Sequence, residues 1–293
     1  MHRRRLALVT LPLLVGVIAC APVDETDDSA TDTSSNDASA QADACAPESL
    51  ALKTPGQLTV GTDSPAFEPW FVDDDPTNAK GFESAVAYAV ADQLGFDQGD
   101  VSWVTVPFNN SYAPGEKTFD FDINQISITP QRAKVVDFSD GYYSAAQAVI
   151  TLKGSPVADV TSIADLAGYK LGAQTGTTSL TAIRDVIDPD SDPLVFEDTN
   201  AAKQALQNGQ VDAILADLPT AFYISAVEIE GSQIIGQFQP ETGEQEEFGL
   251  LLEKDSALTP CVDQALAALR EDGTLDQLEQ QWLSDVVDVP ELS

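Results

Sequence analysis

Histidine and cysteine are nearly missing from this sequence: its 293 residues include one His (His2) and three Cys (Cys20, Cys45 and Cys261). That scarcity leaves no set of residues at metal-ligand spacing and no imidazole in the body of the chain for acid–base work. No metal and no cofactor is therefore expected. Basic residues are also few, with 14 Lys and Arg against 48 Asp and Glu and a formal net charge of −34. Nucleic-acid binding needs a basic face to neutralise phosphates, so it is excluded. The acidity is taken as a solubility feature rather than as the mark of an acidic pocket. Long apolar runs are lacking too: nothing after residue 19 approaches the roughly 20 residues of a membrane-spanning helix.

What is present begins at the N-terminus. Arg3, Arg4 and Arg5 precede an apolar run from Leu6 to Ala19, the pattern of a secretory signal over residues 1–19. Val17-Ile18-Ala19-Cys20 resembles the bacterial lipobox, which implies lipidation of Cys20 and a membrane anchor of several acyl chains. Residues 20–48 then read as a disordered tether: residues 21–48 hold eight acidic residues and no Lys or Arg, a composition that buries too little apolar surface to order itself. With Cys20 lipidated, Cys45 and Cys261 remain for a disulfide in an oxidising compartment, with two separate buried thiols as the alternative. A bond between them would tie the edge before the first strand to the last helical region.

The rest alternates strands and helices. Leu58-Thr-Val-Gly predicts a strand; Phe82, Val86, Val90 and Leu94 draw an apolar stripe along a helix ending at Gly95. Val101–Val106 predicts a second strand and Phe121–Ile128 a third. After residue 150 the same grammar restarts, with a short helix at Ser162–Gly168, a strand from Lys170, a Gly176-Thr177-Thr178 loop entering a helix, and a strand at Val211–Asp217. Alternating β and α units imply a mostly parallel sheet covered on both faces. Two α/β lobes are expected: 49–149 plus 250–293 as the first, 150–249 as the second, with crossings near 149–153 and 247–251.

Several segments in order resemble family 3, the amino-acid-type solute receptors of bacterial ABC importers. They are Gly81-Phe-Glu, Ile126-Ser-Ile-Thr-Pro-Gln-Arg132, Val136-Asp-Phe-Ser-Asp-Gly-Tyr-Tyr143, Asp165-Leu-Ala-Gly, Gln174-Thr-Gly-Thr-Thr178, Asp212-Ala-Ile-Leu-Ala-Asp217 and Asp272-Gly-Thr-Leu. They span about 58–284. The departure is Ala85, where the family usually carries a second acidic residue. The resemblance implies a two-lobed, type II periplasmic-binding-protein-like fold with a two-strand hinge, a small α-amino acid as ligand and a membrane permease as partner. It also implies a monomer on the outer face of the cytoplasmic membrane.

An α-amino acid carries a carboxylate and an ammonium one carbon apart, and each needs an opposite charge when buried. Only Arg132, Arg184 and Arg270 lie beyond the signal. Arg132 follows Ser127 and Thr129 at a strand end, where crevice ligands bind, and matches the family's carboxylate-binding arginine; the other two fall on helix surfaces. Asp217 matches the ammonium acceptor. Thr177, Thr178, Ser127 and the backbone near Gln125 would donate to the carboxylate. Phe67 and Phe108 resemble the aromatics that sandwich the ligand stem, and Glu83 and Asp63 align with positions facing the ligand side chain. Because the fork and the acceptor sit on different lobes, hinge closure is the implied mechanism. The competing expectations are a cyclohexadienyl-dehydratase-like enzyme with Glu83 as its acid–base group, and a sensor subunit presenting its ligand to a receptor.

Overall fold

The computed structural model describes residues 44–239, 246–283 and 289–293. The expected signal 1–19, Cys20 and the tether as far as residue 43 lie outside the described residues.

Strand β1 (Leu58–Thr62) is buried at every position, as a strand covered on both faces must be. It runs parallel to β2 (Val101–Thr105) and to β3 (Phe121–Asp122). The sheet is completed by β4 (Asp137–Ala145) and β10 (Glu246–Leu252) in the order β2-β1-β3-β10-β4, with β10 antiparallel to both of its neighbours. Helix α1 (Phe82–Gln93) lays Phe82, Val86 and Val90 into this lobe's core, beside Leu266 and Leu269 of α6 (Thr259–Glu271) and Leu275 of α7 (Thr274–Leu283). Gly81 starts α1 because nothing larger fits. Its φ is +92°, and a Cβ there would meet the Trp70 carbonyl and sit 2.6 Å from the Phe71 Cα. Cys45 and Cys261 form a disulfide that pins the start of this lobe to α6.

The second sheet contains β5 (Gln147–Leu152), β6 (Leu171–Gln174), β7 (Leu194–Phe196), β8 (Ala213–Asp217) and β9 (Ser232–Phe238), ordered β7-β6-β8-β5-β9. Here β6 is parallel to β7 and β8, and β5 antiparallel to β8 and β9. Short helices follow the parallel strands: α3 (Thr178–Ala182) after β6, α4 (Thr199–Gln207) after β7 and α5 (Leu218–Tyr223) after β8. The two-lobed α/β architecture is therefore as expected from the alternating pattern.

Several particulars differ. The chain crosses between the sheets at Ala146, the single residue separating β4 from β5, and β10 belongs wholly to the first sheet. Gln147–Val149 thus sit in the second lobe, and Glu246–Gly249 in the first. Residues 289–293, expected in the first lobe, lie along β9: Glu291 bridges Gln237, and Leu292 packs into the second lobe's core. The third strand stops at Asp122 because Gln125 turns back with φ +48°, a conformation no strand accommodates. The Ser162–Gly168 helix is a single 3-10 stretch, Ala164–Gly168.

Candidate functional site

The C-terminal ends of parallel strands from both sheets face one cleft of about 650 Å³, its open mouth included. Asp63, Phe67, Phe108, Gln125 and Ser127 line it from the first lobe; Thr177, Thr178 and Asp217 line it from the second. Eight of the ten expected ligand-site residues therefore share one cavity.

Each is held by its local structure. The Asp63 carboxylate follows β1 and accepts from the Ser64 and Phe108 backbone N–H groups at 2.7 and 3.0 Å, which fixes Phe108 at the start of α2 (Phe108–Ser111). Thr177 caps α3, its hydroxyl accepting from the Leu180 N–H at 3.1 Å. Asp217 ends β8 and accepts from Gln147 Nε2 at 2.8 Å. Burial, with Glu246 nearby, pushes the Asp217 carboxyl well above the usual carboxylate range, against the Gln147 bond and Arg132.

The remaining two stand behind the wall. The Arg132 guanidinium is buried over the rings of Tyr112 and Phe108, 4.6 and 5.5 Å from their centroids. It donates to the Ser127 carbonyl at 2.8 Å and, across the cleft, to the Gly176 carbonyl at 2.9 Å. A guanidinium carries five N–H donors, so these bonds leave donors for an incoming carboxylate. Gly176 permits this approach: its φ is +76°, and a Cβ would strike Asn109 and Tyr112.

Glu83 departs further from expectation. It is fully buried, is absent from the cleft lining, and accepts from the Gln125 N–H at 2.6 Å, from the Gln125 amide and from the Tyr142 hydroxyl. Its role here is to hold Gln125 in its turned-back conformation. Burial raises its carboxyl to about 7, opposed by those hydrogen bonds.

Some residues packed behind the cleft lining carry no clear sequence signal. Gln147 opens the apolar strand β5 as its one polar side chain before Thr151, which is a hint; Glu246, within an acidic stretch, gives none. Trp70 Nε1 donates across the lobes to Thr220 Oγ1 at 2.8 Å. Asp122, beneath the floor, is fully buried with both carboxylate oxygens unpartnered, and burial pushes its carboxyl well up, with Glu83 adding to it. A raised folded value means the native state keeps a proton that the unfolded chain releases, so stability falls as pH rises above the ordinary range near 3.8. Asp122→Asn is expected to stabilise the protein by about 1–3 kcal/mol at pH 8, with the gain shrinking toward pH 4. Denaturant midpoints at the two pH values check both the sign and the trend.

Comparison with known proteins follows this geometry. The family profile of bacterial extracellular solute-binding proteins, family 3, matches residues 58–285. The chain is 30% identical over 209 residues to the ABC transporter glutamine-binding protein GlnH of Bacillus subtilis (strain 168), covering 70% of this chain and 73% of that one. Among solved structures, an ancestral arginine-binding protein bound to arginine superposes with a TM-score of 0.66 at 31% identity, over 78% of this chain and 98% of that one. The ancestral amino acid-binding protein AncCDT-1, a precursor of cyclohexadienyl dehydratase, gives 0.63 at 28% identity, over 78% and 95%.

Proposed function

The chain belongs to the bacterial extracellular solute-binding proteins of family 3, and from that premise we propose that it captures a small α-amino acid between its lobes and delivers it to a membrane ABC importer. One observation supports the reading: Asp217 lines the cleft from the second lobe, while the buried Arg132 guanidinium of the first lobe, just behind the wall, donates across to the Gly176 carbonyl. The ligand carboxylate is received by the free N–H groups of Arg132, with Ser127 and the α3 N-terminus at Thr177 and Thr178. Its ammonium is received by Asp217, and its stem lies between Phe67 and Phe108. Gln125 lines the floor and Asp63 reaches toward the ligand side chain. A zwitterion contacts both charges only when the lobes are together, so binding shifts the population toward the closed form.

The N-terminal features extend the proposal. Residues 1–19 direct export, Cys20 carries lipid, and the acidic stretch before Cys45 tethers a monomeric receptor to the outer face of the cytoplasmic membrane. Lobe 1 comprises 49–145 and 246–283, and lobe 2 comprises 147–239, joined by the tail at 289–293.

An enzyme on this scaffold is less favoured, because Glu83, the acid–base group that reading relies on, is engaged by Tyr142 and Gln125 and stands outside the cleft. A thermal-melt screen against the common α-amino acids tests the function. A ligand at 100 times its dissociation constant adds about 2.7 kcal/mol, a shift of about 5–10 °C at this size. No shift with any of them, or turnover of prephenate or arogenate, would overturn the proposal.

A further inference from the structure

Behind the cleft lining, bonded to Ser127 and Gln147, stands a second carboxylate that no expected role includes. Gln147 and Glu246 are the first residues of β5 and β10, the strands with which the chain enters each lobe, and both side chains are buried. One amide nitrogen joins the acids: Gln147 Nε2 donates to Asp217 Oδ1 at 2.8 Å and to Glu246 Oε2 at 3.0 Å. Sharing that nitrogen keeps the two acceptor oxygens within about 6 Å of each other. The network closes on both lobes, since the Ser127 hydroxyl donates to Glu246 Oε1 and the Ser179 hydroxyl donates to Gln147 Oε1 at 2.6 Å. The Gln147 amide nitrogen thereby faces both carboxylates, with the Thr178 hydroxyl a longer third partner at 3.4 Å, and the amide oxygen is fixed from α3.

We propose that Glu246 is a positioning residue for the amino-group end of the site: acting through the Gln147 amide, it fixes the Asp217 carboxylate and links it to the hinge, so that the ligand's ammonium meets two coupled acids. This rests on the assignment of Asp217 as ammonium acceptor. Two buried acids this close do not both carry full charge without a cation between them. The groups acting on Asp217 are Glu246 from β10, Arg132 from the turn after β3, Glu83 from α1, and Tyr142 and Tyr143 from β4. Of these Arg132 alone is cationic. An arriving ammonium supplies the missing charge and expels the proton that Asp217 holds in the empty cleft. Affinity therefore rises with pH through the titration of Asp217.

The test uses the whole protein and, as probe, the common α-amino acid giving the largest melting shift. Affinity is measured by calorimetry between about pH 4 and 8. In Glu246→Gln the nearest like charge is gone, so the rise in affinity moves about 1–2 pH units lower. The exposed neighbour, changed as Glu247→Gln, keeps the wild-type profile. Unmodified protein, titrated in two buffers of different ionisation enthalpy, releases protons on binding, a readout that needs no variant. An unshifted profile in Glu246→Gln, or binding without proton release across this range, overturns the proposal. Asp217→Asn separates the two levels. If it binds as tightly as wild type, the ammonium assignment itself fails; if it loses binding while Glu246→Gln keeps the wild-type profile, only the role of Glu246 fails.

Discussion

Replacing Arg132 with Ala is expected to weaken amino-acid binding by about 2–5 kcal/mol, roughly 30- to 4,000-fold. Two losses combine. The ligand carboxylate would be buried without its planar donor, and the desolvation of an unpaired charge is the larger part of the cost. The bond from the first lobe to the Gly176 carbonyl would also go, removing a contact that exists only when the lobes meet. Arg132→Lys keeps a charge but not the fork geometry, and its affinity should fall between the two. The side chain stacks on Tyr112 and Phe108, so some stability is lost as well, and a melt of each unliganded variant separates that from binding. Calorimetry showing unchanged affinity in Arg132→Ala would remove the guanidinium from the site.

The second large effect belongs to the disulfide. Cys45 and Cys261 are 216 residues apart in sequence, so the bond closes nearly the whole folded chain into a loop. In the chain-entropy treatment such a loop stabilises by about 5 kcal/mol, with strain and residual unfolded structure reducing it. Changing both residues to Ser should therefore lower the denaturant midpoint strongly, and reduction of the wild-type protein should reproduce the drop. Affinity should change little, because the bond lies in the first lobe's core, among residues absent from the cleft lining. Coincident midpoints for the oxidised protein and the double variant would show that the bond contributes nothing to stability.

How much of this was legible beforehand differs by level. The stripe of Phe82, Val86 and Val90 placed α1 correctly, since a 3.6-residue period commits one face to the core whatever the partner. Gly81 is required at the start of α1 by the Trp70 and Phe71 backbone, a constraint the stripe itself does not carry. Asp217 and the Thr177-Thr178 turn line one cleft, with Arg132 just behind its wall, because strand ends in α/β sheets converge there. Glu83 stands behind the lining: its motif position is near the ligand, but whether a carboxylate faces a cleft or a neighbour depends on tertiary partners, here Tyr142 and Gln125. Glu246 and Gln147 carry no such signal for the same reason, as they meet only where the starts of β10 in the first sheet and β5 in the second come together at the crossing. The return of Leu292 to the second lobe had no periodic signal, being five residues long.

The central claim is that opposite ends of one dipolar solute are held by opposite lobes. Calorimetry with the best-binding amino acid, its decarboxylated amine and its deaminated acid tests this most directly. Both analogues are predicted to bind at least about 30-fold more weakly than the parent, each having lost the partner of one buried charge. Either analogue binding within about threefold of the parent would contradict the account, because a clamp that tolerates the loss of one end is not holding it.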